Sequence, residues 1–343
     1  MEESNLAYAD VDKALTLLNK KFGAGSVQRL GDNFTNYDIK VESTGSLLLD
    51  LALGKGGLPT GRIVELYGAQ ASGKTTLALL HIAEVQKSGR LAAFVDVEHA
   101  LDPNLAQEYG VNIDDLIINQ PSTGEEALEV AESLARTGEF GVIVIDSVSA
   151  LLPSAESEAE MEQNSIGLQA RLMSKALRKM TPVTSEGNCT IIFINQIREK
   201  VGVLYGNPEV TSGGRALAFY ASIRIAVSQN GGNSGQIKDT AGVIIGHQIK
   251  CRIVKNKIAT PYKEAIFNLQ YGIGVDRQAE VADVAITAGI IKQGGAWFTY
   301  GEEGSPDYFK IQGRDNVRAY VKENQEFCNM LEQMLRGGQM PNE

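Results

Sequence analysis

Apolar runs of strand length alternate with stretches of helical periodicity over much of the chain. The β-like runs cover residues 62–67, 91–95, 141–145 and 190–194, and the helical stretches among them cover residues 75–87, 103–109 and 169–180. Three further β-like runs follow, at residues 221–227, 248–254 and 265–271. Alternation of this kind predicts an α/β fold with a mainly parallel sheet covered by helices.

An amphipathic helix is predicted near the N-terminus. Its apolar residues fall at helical spacing between Val11 and Phe22, and Gly23 follows as a stop signal. A loop rich in glycine and polar residues, 23–38, separates this helix from the rest of the chain. The apolar face is expected to pack either on its own domain or on another subunit.

The pattern changes after Gly274, where short helices and a small aromatic segment, residues 296–300, replace the long alternation. We therefore predict three parts. Residues 1–36 form the N-terminal helix and linker, residues 37–274 form the α/β core, and residues 275–343 form a small α+β C-terminal domain.

The composition favours a soluble globular protein, because 43% of the 343 residues are apolar. Apolar runs all fall short of the roughly 20 residues that a membrane span needs, and the start of the chain lacks signal-peptide features. We expect a cytoplasmic protein with no membrane partner. Cys189, Cys251 and Cys328 lie far apart and are predicted to be buried packing residues.

The formal net charge of −10 argues at first against a polyanionic partner. The charge is segregated, however. Arg136 is the single lysine or arginine between Asp96 and Glu162, whereas residues 171–215 and 250–263 are basic on balance. Local patches decide binding, so a nucleic-acid partner remains compatible with the sequence.

A phosphate-binding loop is the strongest chemical signal. The segment Gly68, Ala69, Gln70, Ala71, Ser72, Gly73, Lys74, Thr75 matches G-x-x-x-x-G-K-S/T, and Thr76 opens the helical stretch behind it. In this pattern backbone N–H groups wrap the phosphates, and the lysine neutralises them. The threonine hydroxyl binds Mg²⁺. A β-like run precedes the loop and a helix-forming run follows it, so we predict an ATP site.

Polar groups at three other strand ends are predicted to meet that loop, because ligands of open α/β sheets lie beyond the carboxyl ends of the strands. Asp146 ends the run 142–146 and is expected to hold the Mg²⁺ hydration shell. Glu98 is the candidate to orient and deprotonate the attacking water, with Asp96 as the competitor. Gln196 follows the run 190–194. Alternatively, Glu98 is a solvated or capping acid and Asp146 a turn residue.

Several basic segments are candidates for DNA contact. The long loop after Gln196 combines Arg198, Lys200 and Arg215 with Val201 and other apolar residues, a mixture suited to gripping phosphates and wedging between bases. Arg171, Lys175, Arg178 and Lys179 share one helical face. The alternatives are a mobile surface loop and a solvated helix face.

A last basic segment includes Lys250, Arg252, Lys255 and Lys257. Its lysines either protect a sheet edge or supply charge to a γ-phosphate in a neighbouring subunit.

Taken together, these motifs resemble the bacterial RecA recombinase family from about Asp12 to about Asn324. Seven segments in family order carry the resemblance: residues 43–47, 56–59, 98–103, 146–148, 193–198, 211–214 and 254–258. The resemblance implies a DNA-dependent ATPase that uses ATP and Mg²⁺. It also implies helical filaments on single-stranded DNA and strand exchange with a homologous duplex, as in recombinational repair. Family members also act on a self-cleaving repressor, which the resemblance adds as a partner.

The resemblance also assigns roles to individual residues. Glu98 matches the catalytic glutamate, Gln196 the γ-phosphate sensor, and Asp102 an adenine contact. Lys255 and Lys257 match lysines that reach ATP across the subunit interface, Phe219 matches an interface relay, and the helix at 11–22 matches an arm that docks on the next protomer.

DNA-binding residues follow from the same resemblance. The first DNA loop corresponds to residues 158–167 and the second to 198–214. The DNA-contact candidates are Ile166, Arg171, Ser174, Arg178, Arg198, Lys200, Val201, Thr211, Ser212, Gly213, Gly214 and Arg215, with Lys250 and Arg252 in a secondary site for the duplex.

The chain also departs from the family pattern. Leu105 stands where a tyrosine usually stacks on adenine, and Ala218 replaces a basic residue. Ser165, Glu199 and Arg215 replace the usual His, Met and Asn. The final residues lack an acidic tail, so we expect weaker autoinhibition of duplex binding.

Three other functions share parts of this pattern: a ring-shaped helicase or related motor, a small-molecule kinase, and a DNA-binding filament protein that does not turn ATP over. The kinase is disfavoured because the sequence offers no evident acceptor pocket.

Overall fold

The computed structural model describes residues 2–31, 39–157, 167–199, 209–305 and 307–337. The chain forms two compact units, residues 1–40 and 41–343. The first unit contains helix α1, Glu2–Phe22. Gly23 ends the helix as predicted, with a backbone φ of 106° and its N–H bound to the carbonyl of Asn19 at 3.0 Å. Of the predicted linker 23–38, residues 32–38 lie outside the described residues.

The second unit carries the remaining elements. Its helices are α2 (Leu47–Leu53), α3 (Lys74–Lys87), α4 (Pro103–Glu108), α5 (Gly124–Arg136), α6 (Ser154–Ser157), α7 (Leu168–Glu186), α8 (Ala216–Tyr220), α9 (Arg277–Thr287), α10 (Arg314–Glu323) and α11 (Gln325–Arg336), with 3-10 turns at Val148–Ala150 and Gly232–Gly235. Its strands are β1 (Val41–Glu42), β2 (Leu58–Pro59), β3 (Ile63–Gly68), β4 (Leu91–Asp96), β5 (Leu116–Asn119), β6 (Phe140–Asp146), β7 (Thr190–Glu199), β8 (Glu209–Thr211), β9 (Ile223–Gln229), β10 (Gln236–Lys238), β11 (Ile244–Asn256), β12 (Glu264–Gln270), β13 (Lys292–Gly294), β14 (Trp297–Tyr300) and β15 (Phe309–Gln312).

The predicted mainly parallel sheet is confirmed. Its strands run in the order β10-β11-β9-β3-β7-β6-β4-β5, with β12 also pairing with β11 and β8 with β7. The pairs from β9 through to β5 are parallel, whereas β11 pairs antiparallel with each of its neighbours. The carboxyl ends of β3, β4, β6 and β7 therefore lie at one edge of the sheet, where the predicted site residues follow them.

Side-chain alternation along β6 shows why both faces of the sheet are covered. Val142 and Val144 join the hydrophobic cluster that includes α3, while Ile143 and Ile145 join the cluster under α5 and α7. All four side chains are fully buried. A strand buried on both faces reads as a continuous apolar run, which is the pattern this sequence shows.

The C-terminal segment builds a third hydrophobic cluster around Phe298, Val317 and Leu331, above the three-stranded sheet β13-β14-β15. Leu47 of α2 belongs to the same cluster. The buried carboxylate of Glu280 adds a polar link to α2, because it accepts hydrogen bonds from the Ser46 hydroxyl at 2.9 Å and the Leu47 N–H at 2.7 Å. A domain boundary after residue 274 stays a prediction.

The three cysteines are buried and unpaired, which confirms their predicted packing role. None of the helices in the described part of the chain is both long and apolar enough to cross a membrane.

Candidate functional site

The loop between β3 and α3 has the geometry of a phosphate cradle. Gly73 precedes α3 with a φ of 94°, a conformation that side-chain-bearing residues rarely adopt, and a Cβ there would meet a Leu269 methyl group at 3.0 Å. The first N–H groups of a helix have no intrahelical partner and carry the positive end of its dipole. The loop therefore presents backbone donors suited to an anion.

Two side chains of the loop are poised for a ligand. The Lys74 ammonium donates to the carbonyl of Ala69 at 2.7 Å, and burial lowers the pKa of Lys74 against the opposing pull of Asp146 and Glu98. The buried hydroxyl of Ser72 has no hydrogen-bond partner in the described residues. A buried hydroxyl without a partner is costly, so this atom marks a place for a ligand oxygen.

Thr75 and Asp146 lie together at the ends of the loop and β6. The Thr75 hydroxyl donates to Oδ2 of Asp146 at 2.7 Å. Burial is the main cause that raises the pKa of Asp146 to about 6, with Glu98 and Asp96 adding to it, while the Thr75 hydrogen bond and Lys74 lower it. A hydroxyl and a carboxylate in this position are the oxygen ligands that Mg²⁺ prefers.

Glu98 and Asp96 have different roles, although Asp96 ends β4 and Glu98 lies two residues beyond it. Both carboxylate oxygens of Asp96 hold the chain that carries Glu98, accepting from the N–H groups of Ala100 at 3.1 Å and Leu101 at 3.2 Å. Glu98 is exposed. The Ser147 hydroxyl and the amide of Gln196 donate to the same oxygen of Glu98, the latter at 3.0 Å. Asp96 is therefore occupied structurally, and Glu98 is the carboxylate that faces the site.

Gln196 connects this carboxylate to the stem of the second predicted DNA loop. Its backbone N–H donates to Oδ1 of Asn195 at 2.9 Å, and Nδ2 of Asn195 donates to the carbonyl of Ser212 at 3.1 Å. The Arg198 side chain donates to the Ser212 hydroxyl at 3.1 Å. The site and the loop stem are thus joined by a continuous path of hydrogen bonds.

The stem itself is tightly fitted. Gly213 has a φ of 77°, and a Cβ there would lie 2.7 Å from a methyl group of Val148. The Gly213 N–H donates to the side chain of Gln169, at the start of α7, at 3.2 Å. A side chain at this position therefore requires the stem or its neighbours to shift.

A cavity of about 480 Å³ adjoins the phosphate cradle. Leu105 and Tyr109 line it, as do three residues that no sequence motif predicted, Gln229, His247 and Tyr271. The side chain of Gln229 donates to the carbonyl of Ala71 at 3.2 Å. These three come from β9, β11 and the segment after β12, and no local motif marks them.

Asp102, the predicted adenine contact, is the N-cap of α4. Its carboxylate accepts from the N–H of Asn104 at 2.8 Å and that of Leu105 at 3.5 Å. The cap therefore fixes the start of the helix that places Leu105 at the cavity wall.

Lys255, Lys257 and Phe219 form a separate surface. The Lys255 ammonium donates to the carbonyls of Ala218 at 2.7 Å and Phe219 at 2.8 Å, which close the short helix α8. Lys257 is exposed, and Phe219 is 71% exposed. Neither lysine is among the residues that line the cavity beside the cradle of the same chain.

The basic face of α7 is present in the structure. Arg171, Lys175, Arg178 and Lys179 are all exposed, while the Ser174 hydroxyl bonds the Ala170 carbonyl at 2.7 Å.

The other predicted DNA residues vary in their surroundings. Lys250 is paired with Glu264 at 2.6 Å, and Arg252 and Arg215 are exposed. Ile166, Lys200 and Val201 lie outside the described residues, as does Ser165.

The parallel sheet, the loop at its edge and the carboxylates beside that loop define a P-loop ATPase. Two family models match the chain, the RecA N-terminal domain over residues 9–276 and the RecA C-terminal domain over residues 279–338. The chain therefore belongs to the RecA family.

Curated relatives agree with the two models. The chain is 50% identical to protein RecA of Bordetella avium over 327 residues, covering 95% of this chain and 90% of the relative. It is 50% identical to protein RecA of Thioalkalivibrio sulfidiphilus over 329 residues, covering 96% and 93%, and to that of Azospirillum lipoferum over 328 residues, covering 95% and 88%.

Family membership confirms the function expected from the resemblance. The protein is a DNA-dependent ATPase that forms helical filaments on single-stranded DNA and catalyses homologous pairing and strand exchange in recombinational DNA repair. The alternatives of a ring helicase, a small-molecule kinase and a filament protein without ATP turnover are set aside.

Proposed function

We propose that this recombinase hydrolyses ATP at a site shared by two protomers, and that the state of the γ-phosphate reaches DNA through Glu98 and Gln196. The observation that carries the proposal is the hydrogen bond between these two side chains, 3.0 Å long, which begins the path to Ser212. Gln196 contacts the hydrolytic carboxylate and is linked to the loop stem through Asn195. In this proposal its side chain has different partners before and after hydrolysis, which is what an element that couples two states requires.

In this proposal residues 68–76 bind the phosphates through backbone N–H groups, and Lys74 leaves the Ala69 carbonyl to neutralise them. Thr75 would hold Mg²⁺ together with Asp146, the latter through a water molecule. When bound, the ion supplies charge neutralisation at the phosphates. The base occupies the cavity beside Leu105, with Asp102 close by at the cap of the helix.

Glu98 orients the attacking water and accepts its proton. Its exposure supports this role, as do the donors Ser147 and Gln196, which fix one of its oxygens while no described residue donates to the other. The hydroxide formed then attacks the γ-phosphorus in line with the bond to the departing ADP.

Lys255 and Lys257 act on the ATP of the neighbouring protomer, and Phe219 packs in the same interface. The exposure of Lys257 and Phe219 supports this assignment. Charge supplied from a second subunit stabilises the negative charge of the transition state, as an arginine finger does.

The DNA-facing residues are assigned in the same way. Arg171, Ser174 and Arg178 lie along the backbone of the bound strand together with the two loops, including Ile166, Lys200, Val201 and residues 211–215. Lys250 and Arg252 contribute to the secondary duplex site, where Lys250 exchanges Glu264 for a phosphate.

Filament assembly uses residues 1–36 as an arm. Val11 and Phe22, on the apolar face of α1, are 47% and 64% exposed, and the edge strand β5 exposes Ile117 and Ile118. An apolar helix face and an apolar sheet edge on one chain are complementary between two copies. We assign the core to residues 37–274 and a small C-terminal domain to 275–343. The protein acts in the cytoplasm, with a self-cleaving repressor as a further partner.

Mixed filaments test the shared site. Glu98→Gln and Lys255→Ala protomers are each expected to hydrolyse ATP poorly. In an equal random mixture about a quarter of the interfaces combine an intact Glu98 with an intact Lys255 from the next protomer, so hydrolysis on single-stranded DNA should rise.

The matched control mixes Glu98→Gln with Lys74→Ala, whose residues belong to the same protomer, and should gain nothing. The proposal is wrong if the first mixture co-assembles on DNA but gains no more hydrolysis than the control.

A further inference from the structure

Glu65 is a fully buried carboxylate that no motif pointed to. It lies in β3, three residues before the phosphate-binding loop, and is 0% exposed. Its two oxygens have different partners. Nε of Arg224 donates to Oε2 at 2.5 Å, and Nδ2 of Asn195 donates to Oε1 at 3.0 Å.

The sheet register explains this arrangement. Arg224 of β9 lies directly opposite Glu65, and Phe193 of β7 lies opposite on the other side. Asn195 is two residues beyond Phe193, so its side chain leaves the same face of the sheet and reaches Glu65 diagonally. Three central strands therefore meet at this one carboxylate.

Asn195 is the point where this carboxylate joins the path from the ATP site to DNA. Its Nδ2 donates both to Glu65 and to the Ser212 carbonyl, while its Oδ1 accepts from the N–H of Gln196. The Glu65 carboxylate accepts hydrogen bonds but does not donate them. It therefore fixes the orientation of the Asn195 amide, with the NH₂ group, and not the oxygen, turned toward Glu65. A rotated amide would place an oxygen against the Ser212 carbonyl.

Asn195, Glu65 and Arg224 form a network whose other end reaches Lys255, the lysine proposed to act across the interface. The Arg224 guanidinium lies 4.8 Å from the centre of the Tyr67 ring. Arg224 and Lys257 lower the pKa of Lys255, after the larger effect of burial, and Glu65 opposes them. The charge of Glu65 is thus felt at the lysine assigned to the neighbouring ATP as well as at the DNA-loop stem.

A buried ion pair by itself is weak support for a stabilising role, since apolar replacements are often as stable. The geometry points to another role. We propose that Glu65 is a positioning residue, which orients Asn195 so that the state of Gln196 is transmitted to Ser212 and makes single-stranded DNA binding depend on ATP. The inference rests on the proposed role of Gln196.

Glu65→Gln tests it with an isosteric change. The amide keeps one acceptor but turns an N–H₂ group toward either Asn195 or Arg224, so one hydrogen bond is lost and two donors face each other. The measurement is single-stranded DNA affinity with a non-hydrolysable ATP analogue, divided by the affinity with ADP. We expect this ratio to fall about tenfold, the equivalent of one lost hydrogen bond in a buried network.

Glu280→Gln is the matched control, because it also neutralises a buried carboxylate that accepts from a hydroxyl and a backbone N–H, but at α2. It should leave the ratio unchanged. Thermal unfolding and ADP binding report whether the fold and the phosphate-binding loop are intact. An unchanged ratio in a folded Glu65→Gln protein overturns the inference.

Asn195→Ala supplies the second arm, since it leaves the Glu65–Arg224 pair in place. The affinity ratio of Asn195→Ala should fall as well. The double variant with Glu65→Gln should show no further fall, because both substitutions act through the Asn195 side chain. Additive losses exclude the mechanism. An unchanged ratio in Asn195→Ala excludes it even if Glu65→Gln fails to fold. A wild-type ratio near one would instead refute the proposed function itself.

Discussion

The amide of Gln196 donates to the carboxylate of Glu98 across 3.0 Å, so the residue proposed to sense the γ-phosphate and the residue proposed to activate water are in direct contact. The two side chains come from β7 and the loop after β4, which β6 separates in the sheet. In the proposed function, loss of the γ-phosphate changes the partners of both side chains at once. This hydrogen bond is the proposed link between hydrolysis and the release of DNA.

Glu98→Gln should abolish most ATP turnover while filaments still form. The amide cannot accept a proton from water, and a general base contributes about 10²–10⁴-fold to the rate. The measurement is phosphate release on single-stranded DNA, with electron microscopy to follow assembly. Glu139→Gln, an exposed acid at the opposite end of β6, should retain the full rate. Normal turnover in Glu98→Gln would show that another group is the base.

Ser72→Ala should separate folding from nucleotide binding. The buried hydroxyl has no partner among the described residues, so its removal should leave the Tm of the nucleotide-free protein unchanged or slightly raised. The rise in Tm on adding ADP should become smaller, because a ligand contact is lost. Thr184→Ala removes a buried hydroxyl that does have a partner, the Met180 carbonyl at 2.7 Å. This variant should have a lower Tm without nucleotide but the same ADP-induced rise in Tm as wild type. The assignment fails if the ADP-induced rise is the same in Ser72→Ala and wild type.

Gly213→Ala should impair DNA binding more than stability. The added Cβ would lie 2.7 Å from Val148 and in a left-handed conformation, so the loop stem must move. We expect a loss of single-stranded DNA affinity of about tenfold or more, measured by fluorescence anisotropy. Gly289→Ala has a similar φ, 72°, with open space around the Cβ, and should cost about 1 kcal/mol of stability without affecting DNA. Equal DNA affinity in both variants would contradict the role of the stem.

Glu280 should make the stability of the protein depend on pH. Burial raises the pKa of Glu280 from 4.5 to about 7, against hydrogen bonds from Ser46 and Leu47 that lower it. Protonation therefore favours the folded state, and this contribution is full below pH 4.5 and lost as the pH rises through about 7.

Glu280→Gln has no proton to lose at that position. Between about pH 5 and about pH 8, the free energy of unfolding of the variant should therefore rise relative to that of wild type, by on the order of 2 kcal/mol. Urea denaturation at both pH values measures this, and parallel pH dependences in the two proteins would refute it.

The sequence predicted most of the core elements because their patterns are local. The helix expected at 75–87 begins at Lys74, and the strand expected at 141–145 covers Phe140–Asp146. The strand β5 and the helix α5 were not predicted. Half of β5 is exposed, and its four residues, Leu116–Asn119, are too few to show a period.

The candidate site also contains residues that the sequence predicted and distinctions that only the fold could make. The phosphate cradle is a contiguous segment whose spacing carries its chemistry. Positions at strand ends indicated Glu98, Asp146 and Gln196, and the family resemblance added Asp102 and Phe219. Nothing local separates Asp96 from Glu98, since both are acids after one strand. Only the fold decides, because the Asp96 oxygens are taken by backbone N–H groups and those of Glu98 face the site.

The amino-acid sequence by itself determined the α/β alternation, the ATP loop and the family, since each is written in consecutive residues and their spacing. Tertiary structure alone decided that Tyr271 and His247 line the cavity beside the phosphate cradle and that Glu65, Asn195 and Ser212 form one network. Glu65 and Asn195 lie 130 positions apart along the chain. Strand order and register bring such residues together, and no local pattern encodes either of them.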